Sequence, residues 1–186
     1  YSDIASSLVR PFSFIVGKSQ NGVVTECLED VPHFMIAGST GGGKSVSFKS
    51  LLIGLLETST RLQVYLFDFK KVEMNDFKGL QNVLIVNEEF EAQLILEKLE
   101  KEMERRYDYL EKKGFKSIDP DRDKMDRIVI GIDECTDLTG RVSKSNPSYV
   151  IVEKARNSLD NLARKARASG IHLVFATQKI DSDSLD

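Results

Sequence analysis

Short hydrophobic runs alternate along the chain with longer segments in which hydrophobic residues recur every three or four positions. Each run ends at polar or glycine residues, and a run of this length predicts a strand. The predicted strands are Phe34–Ala37, Leu62–Phe67, Val83–Val86, Ile128–Ile132 and Leu173–Ala176. Continuous apolar runs are typical of parallel strands that are buried on both faces.

The segments between these strands have the periodicity of amphipathic helices. One helix is predicted from Lys44 to about Leu56, and another from Glu153 to Ser169. The longest helix is predicted from a stripe of Ala92, Ile95, Leu96, Leu99, Met103, Tyr107 and Leu110. Because strands and helices alternate, we expect a single α/β domain over residues 1–186, with a mostly parallel sheet covered by helices on both faces.

Three segments fall outside this alternation. Within residues 1–30, Phe12–Val16 and Val23–Leu28 flank turn residues and predict a β-hairpin. Lys112–Arg127 is charged and is expected to be an exposed excursion, and Gly140–Tyr149 is expected to be a loop.

The composition is that of an ordinary globular domain, with 41% hydrophobic and 30% charged residues among 186. The net charge of −3 gives no general nucleic-acid footprint, so any DNA contact must come from local basic loops or from an assembly. Cys27 and Cys135 match no metal spacing and are expected to be reduced thiols. Because no long apolar run or signal-peptide pattern is visible, we expect a cytoplasmic location.

The strand at Phe34–Ala37 runs directly into the pattern Gly-x-x-x-x-Gly-Lys-Ser. This pattern is typical of a P-loop, whose backbone amides surround a phosphate chain, and it predicts binding of a nucleoside triphosphate. The residues of the loop are Gly38, Ser39, Thr40, Gly41, Gly42, Gly43, Lys44 and Ser45. Lys44 can reach the β- and γ-phosphates, and the Ser45 hydroxyl can ligate Mg²⁺. The alternative is a glycine-rich turn, which the strand before the loop and the helix after it disfavour.

A second part of the site is predicted where the strand Ile128–Ile132 ends in Asp133 and Glu134. Asp133 is expected to hold Mg²⁺ together with Ser45, and Glu134 to polarise the attacking water. Gln178, at the end of the last strand, is placed to contact the γ-phosphate. The alternatives are a strand that ends in solvated acids and a polar strand terminus.

Four ordered motifs extend this pattern beyond a general P-loop protein. They are Pro32–Ser45, Glu102–Tyr107, Ile132–Leu138 and Ala166–Leu173, the last followed by Ala176–Gln178. Together they closely resemble the motor domain of the FtsK/SpoIIIE family over about residues 12–178. The resemblance implies a RecA-like fold and ATP hydrolysis coupled to movement of double-stranded DNA. It also implies a hexameric ring, and the cytoplasmic domain of a membrane-anchored bacterial protein.

Arginines of these motifs are candidates for roles between subunits. Arg167 is a candidate catalytic residue, because in ring ATPases an arginine of one subunit reaches the neighbour's γ-phosphate. The alternative for Arg167 is a solvated helix face. For Glu104, Arg105 and Arg106, an interface role or an ion pair within the domain is as plausible as a catalytic role.

The chain also departs from the pattern of the chromosome-segregating members. It has Asp68-Phe69-Lys70 where they have Asp-Pro-Lys, and Cys135-Thr136 where they have Phe-Ala. We also expect the family's C-terminal strands to be missing from this chain. These departures favour a divergent member that serves a conjugative or mobile element, with partners in a membrane-associated DNA-transfer machine. The alternative is an ATPase of the type VII secretion kind that acts on a protein substrate.

Overall fold

An antiparallel hairpin precedes the main sheet in the computed structural model, which describes residues 10–39, 41–139, 143 and 145–178. Its strands are β1 (Ser13–Ser19) and β2 (Gly22–Cys27), with Ser19 paired to Gly22 across a two-residue turn. The register shifts between Ile15 and Gly17, so the hairpin contains a bulge. The hairpin predicted from the turn residues is therefore present, with a first strand longer than expected.

Five parallel strands form the main sheet, in the order β3-β7-β6-β4-β5. They are β3 (His33–Ala37), β4 (Leu62–Phe67), β5 (Val83–Val86), β6 (Arg127–Ile132) and β7 (Ile171–Thr177). All four neighbouring pairs are parallel, as the continuous apolar runs predicted. The strand that leads into the glycine-rich loop and the strand that leads into the acidic pair are both neighbours of β7.

Helices cover the two faces of this sheet. They are α1 (Lys44–Thr58), α2 (Glu89–Lys113), α3 (Pro120–Asp123), α4 (Thr136–Thr139) and α5 (Tyr149–Lys165). Helix α1 and the hairpin pack on one face, whereas α2 and α5 pack against each other on the opposite face. The prediction of a sheet covered by helices on both faces is confirmed.

Alternate residues of β6 serve the two hydrophobic cores. Ile128, Ile130 and Ile132 face the core beneath α2 and α5, whereas Val129 faces the core beneath α1. This alternation follows from the two-residue repeat of a strand. On the α1 side, a Cβ at Gly131 would lie 2.8 Å from Leu66 Cδ2 and 3.1 Å from Phe48 Cζ. The glycine therefore allows α1 to lie close against the strand that carries the acidic pair.

The bounds of α5 differ from the prediction of a helix over residues 153–169. The helix begins at Tyr149, which was expected to close a loop, and ends at Lys165. It stops there because the Ser169 hydroxyl donates to Ala166 O at 2.7 Å and Gly170 adopts a positive φ of 72°. Arg167 consequently lies in the turn after the helix. Of the expected loop, residues 140–142 and 144 lie outside the described residues.

The charged segment 112–127 was expected to be an exposed excursion, but part of it is buried. Its first two residues are the last two of α2, and Arg127 is the first residue of β6. Between them, Ile118 is 2% exposed and Pro120 is buried at the start of α3. The sequence did not reveal this burial, because the segment is highly charged and a four-residue helix is too short to show a hydrophobic periodicity.

Candidate active site

The glycine-rich loop after β3 has a backbone shape that side chains would obstruct. Gly41 and Gly43 have positive φ angles of 79° and 83°, a conformation that favours glycine. A Cβ at Gly42 would lie 3.0 Å from Ser39 O, to which the Gly42 amide donates a hydrogen bond of 2.9 Å. The loop therefore fits the cradle that a phosphate chain requires, and α1 begins directly after it. Thr40, predicted to belong to this cradle, lies outside the described residues.

The first glycine of the loop is anchored to the neighbouring strand. Gly38 N donates to Thr177 O at 3.1 Å, which extends the β3–β7 pairing by one step beyond Ala37. The loop thus lies at the carboxyl edge of the sheet, beside the ends of β7 and β6. This is the edge at which parallel α/β sheets bind their ligands.

Lys44 and the two acids after β6 converge at this edge. Lys44 Nζ donates to Asp133 O at 2.6 Å and to Asp133 Oδ1 at 3.2 Å. It also lies 4.0 Å from Glu134 Oε2. The side chains of Lys44, Asp133 and Glu134 are only 8%, 6% and 8% exposed. The sequence placed these three residues in one site, and the structure brings them together.

The other oxygen of the Glu134 carboxylate accepts hydrogen bonds from three donors. The hydroxyls of Thr177 and Thr136 each donate to Oε1 at 3.1 Å. The backbone N–H of Gln178 donates to the same atom at 3.4 Å. The Gln178 backbone therefore contacts this acid, whereas the expected contact of the exposed Gln178 with the γ-phosphate stays a prediction.

Sequence reasoning did not identify Thr177 and Thr136 as site residues. The available signal is the register between β6 and β7, in which Ile132 pairs with Phe175. Both strands continue from this pair toward the same edge of the sheet, where the Thr177 hydroxyl reaches Glu134. This pairing cannot be inferred from either strand alone, because it requires knowing which strands are neighbours and how they align.

Ser45 and Asp133 are the residues that could hold a metal ion. Ser45 is in the first turn of α1 and is half-buried, and Asp133 directly follows β6. A hydroxyl and a carboxylate are a donor set that suits Mg²⁺, which takes few protein ligands and completes its shell with water and substrate phosphates. The residues present therefore fit Mg²⁺ beside a bound nucleotide.

Arg167 is separated from these residues within the chain. It is exposed and precedes β7, whose seven residues extend about 20 Å. Burial lowers the pKa of His33, the first residue of β3, and the positive charge of Arg167 lowers it further. Arg167 thus lies near the amino edge of the sheet, opposite the glycine-rich loop, and the structure does not bring it to the other predicted site residues.

Arg106 has a structural role within the domain. It is 4% exposed and donates to Ser169 O and Asp126 O at 2.9 Å each, and to Glu102 at 2.8 Å. A hydrogen bond from Arg105, together with Arg106, lowers the pKa of Glu102 to about 2. For Arg106, the ion pair within the domain is the alternative that the structure supports, and it joins α2 to the turn before β7.

Comparison with known proteins identifies one family and several relatives. The model of the FtsK/SpoIIIE family matches residues 9–128. The chain is 32% identical to the DNA translocase FtsK of Staphylococcus aureus (strain Mu50), over 86% of this chain and 21% of the relative. It is also 32% identical to the DNA translocase FtsK of Campylobacter jejuni, over 98% of this chain and 20% of the relative. The chain therefore spans about a fifth of the length of these relatives.

Solved structures show the same fold. The pCW3 conjugation coupling protein TcpA, in a monomer form with ATPγS, superposes with a TM-score of 0.85 at 27% identity, over 96% of this chain and 51% of that one. EssC of Geobacillus thermodenitrificans, ATPases 2 and 3, gives a TM-score of 0.77 at 18% identity, over 95% of this chain and 36% of that one. The fold is therefore the RecA-like P-loop fold. Within the described residues, no helix is both long and apolar enough to cross a membrane.

Proposed function

The chain belongs to the FtsK/SpoIIIE family, and from this premise we propose that it is the ATP-hydrolysing motor domain of a ring-forming translocase of double-stranded DNA. The observation that carries the proposal is the convergence of Lys44, Asp133 and Glu134 beside the P-loop. A domain that only stored nucleotide would not need a second buried acid directly after the first.

Each of these residues has a defined task in hydrolysis. The loop amides and Lys44 hold the β- and γ-phosphates, for which the Lys44 ammonium turns from Asp133 toward the phosphates. Glu134 orients a water molecule and draws its proton as the water oxygen bonds to the γ-phosphorus. The bond between this phosphorus and the β–γ bridging oxygen breaks, which leaves ADP and phosphate. Ser45 and Asp133 would hold Mg²⁺, which would supply positive charge beside the phosphates.

Double-stranded DNA is the substrate that the relatives favour. Those at 32% identity are DNA translocases, and the coupling protein at 27% identity serves conjugation. The type VII secretion ATPase EccC is only 16–17% identical and shares the fold. We therefore place the chain in DNA segregation or conjugative DNA transfer. A role in type VII-like secretion of a protein substrate is the less supported alternative.

The proposal includes an assembly. Self-association into a hexameric ring would complete each ATP site with a residue of the neighbouring subunit. Arg167 is our candidate for that residue, because it cannot reach the phosphates of its own chain across the length of β7. We further propose that the ring is the cytoplasmic part of a membrane-anchored bacterial protein and works with other components of a DNA-transfer machine.

The rate of ATP hydrolysis with and without duplex DNA tests this function. We expect duplex DNA to raise the rate several-fold, and Lys44→Ala to abolish it by removing the charge that faces the phosphates. Lys49→Ala is the matched control, since Lys49 is on the same helix but pairs with Asp76 at the surface. A rate that ignores DNA but rises with a secretion-signal peptide would support the alternative. An absence of hydrolysis under all conditions would contradict the enzyme assignment.

A further inference from the structure

Thr177 contacts both halves of the candidate active site. Its carbonyl accepts the Gly38 amide at 3.1 Å, at the first residue of the P-loop. Its hydroxyl donates to Glu134 Oε1 at 3.1 Å, and the residue is only 1% exposed. No function assigned so far uses this hydroxyl.

The two oxygens of Glu134 have different surroundings. Oε1 accepts from Thr177, Thr136 and the Gln178 amide, whereas Oε2 is the oxygen 4.0 Å from Lys44 Nζ. Three donors on one oxygen fix the rotation of the carboxylate, because any turn about the last side-chain bond would break them together. The oxygen that remains directed at the phosphate-binding side is then always Oε2.

We propose that Thr177 is a positioning residue for hydrolysis: its hydroxyl holds Oε1 of Glu134 so that Oε2 faces the attacking water. Thr136 assists from α4. The inference rests on the proposed ATP hydrolysis and adds a residue to that site. Thr177 acts through Glu134 and touches neither the nucleotide nor the water.

Thr177→Val removes the hydroxyl with little change in shape and leaves the carbonyl that anchors Gly38. We expect kcat at saturating ATP with duplex DNA to fall about 10-fold, since a loosely held base costs catalysis. We expect the ATP dissociation constant to stay within about two-fold, because the loop contacts remain. Thr177→Ser restores the hydroxyl and should recover most of kcat. Thr58→Val is the control, since Thr58 is at the far end of α1 and, within the described residues, its hydroxyl contacts the backbone carbonyls of Ser13, Gly54 and Leu55.

A readout independent of turnover is the carboxyl ¹³C resonance of Glu134 in the nucleotide-free protein. The resonance is assigned by its loss in Glu134→Gln. We expect it to move in Thr177→Val, to return in Thr177→Ser and to stay unchanged in Thr58→Val. If the resonance were the same in wild type, Thr177→Val, Thr177→Ser and Thr58→Val, the Thr177 hydroxyl would not bind the Glu134 carboxylate, and the inference would be overturned.

A double-variant cycle separates positioning of Glu134 from a general effect on the site. In a Glu134→Ala background no carboxylate remains to be held, so adding Thr177→Val should change the residual single-turnover rate less than about two-fold. An equal loss in both backgrounds would overturn the inference, as would normal kcat in Thr177→Val. If wild-type protein with DNA does not hydrolyse ATP, the proposed function fails and the inference with it. An equal loss in both backgrounds, or normal kcat in Thr177→Val, would overturn only the inference and leave the proposed function standing.

Discussion

At the scale of single residues, the buried charged side chains of the candidate active site lie close to one another. Lys44, Asp133 and Glu134 carry one positive and two negative charges in a region of low exposure. Buried charges of this kind require partners, because an unpaired charge in the interior is costly. The hydrogen bonds of Lys44 to Asp133 and the three donors on Glu134 supply them. The site is therefore built as one network, and a change of charge at one member affects the others.

Glu134→Gln is the variant that separates binding from hydrolysis. The glutamine oxygen can still accept from Thr177, Thr136 and the Gln178 amide, so the fold of the site should persist. We expect ATP affinity close to that of wild type and a loss of at least about 100-fold in kcat, because the amide cannot accept the proton of the water. Fluorescent-nucleotide titration and phosphate release measure the two quantities. ATP affinity as poor as that of Lys44→Ala would assign Glu134 to binding instead.

Glu102 predicts a pH dependence of stability. Hydrogen bonds from Arg105 and Arg106 lower its pKa from 4.5 to about 2 in the folded protein. A depressed pKa stabilises the fold above the unfolded value, and this contribution is lost as the pH falls from 4.5 toward 2. We expect Glu102→Gln to lower the free energy of unfolding most at neutral pH, with a difference from wild type that shrinks in this range.

Urea unfolding between pH 7 and pH 3 measures this difference. The control is Glu104→Gln, two residues away on the exposed side of α2. Its effect on the free energy of unfolding should be small and nearly independent of pH. A Glu102→Gln effect that is constant with pH would contradict the ion-pair account.

At the scale of elements, the distance between α1 and β6 depends on Gly131. We expect Gly131→Ala to lower the free energy of unfolding by about 1–3 kcal/mol, because its methyl would press on Leu66 and Phe48, both fully buried. Gly17→Ala is the control, since a Cβ there meets nothing within 4 Å. Denaturant unfolding of both variants tests this, and equal stability would show that α1 moves away without cost.

The elements also show what the sequence could and could not predict. The five strands, the P-loop and the acidic pair followed from local patterns, because a buried strand and a glycine-rich turn each leave a local signature. The end of α5 was predicted four residues too late, because the apolar stripe continues to Ala166 while the Ser169 and Gly170 turn ends the helix. Thr177 was missed for a different reason: its partner is 43 residues away in sequence.

At the scale of the whole molecule, the two edges of the sheet carry different parts of the proposed machine. The P-loop, Asp133 and Glu134 lie at the carboxyl edge, whereas Arg167 lies near the amino edge. A ring in which the amino edge of one subunit faces the carboxyl edge of the next would bring them together. Arg167 is exposed, so this role does not require the domain to unfold.

Mixing two inactive variants tests an arginine supplied by a neighbour. Arg167→Ala and Glu134→Gln rings should each bind ATP but hydrolyse it poorly, and mixed rings should regain activity. Only mixed rings contain interfaces with an intact Glu134 on one chain and an intact Arg167 on the next. Arg164→Ala is the control, since Arg164 pairs with Asp160 at the surface. Full activity of Arg167→Ala alone, or no recovery at any mixing ratio, would return Arg167 to an ordinary surface role.

The shared attachment at Thr177 has a mechanical consequence. Thr177 hydrogen-bonds to the P-loop through its carbonyl and to Glu134 through its hydroxyl. A small shift of β7 along its axis would therefore stretch both hydrogen bonds at once. The backbone N–H of Gln178, the next residue, also donates to Glu134, so a force that pulls on the chain after Gln178 would act directly on the position of Glu134. A displacement of β7 would therefore change the position of the P-loop and the orientation of Glu134 at the same time.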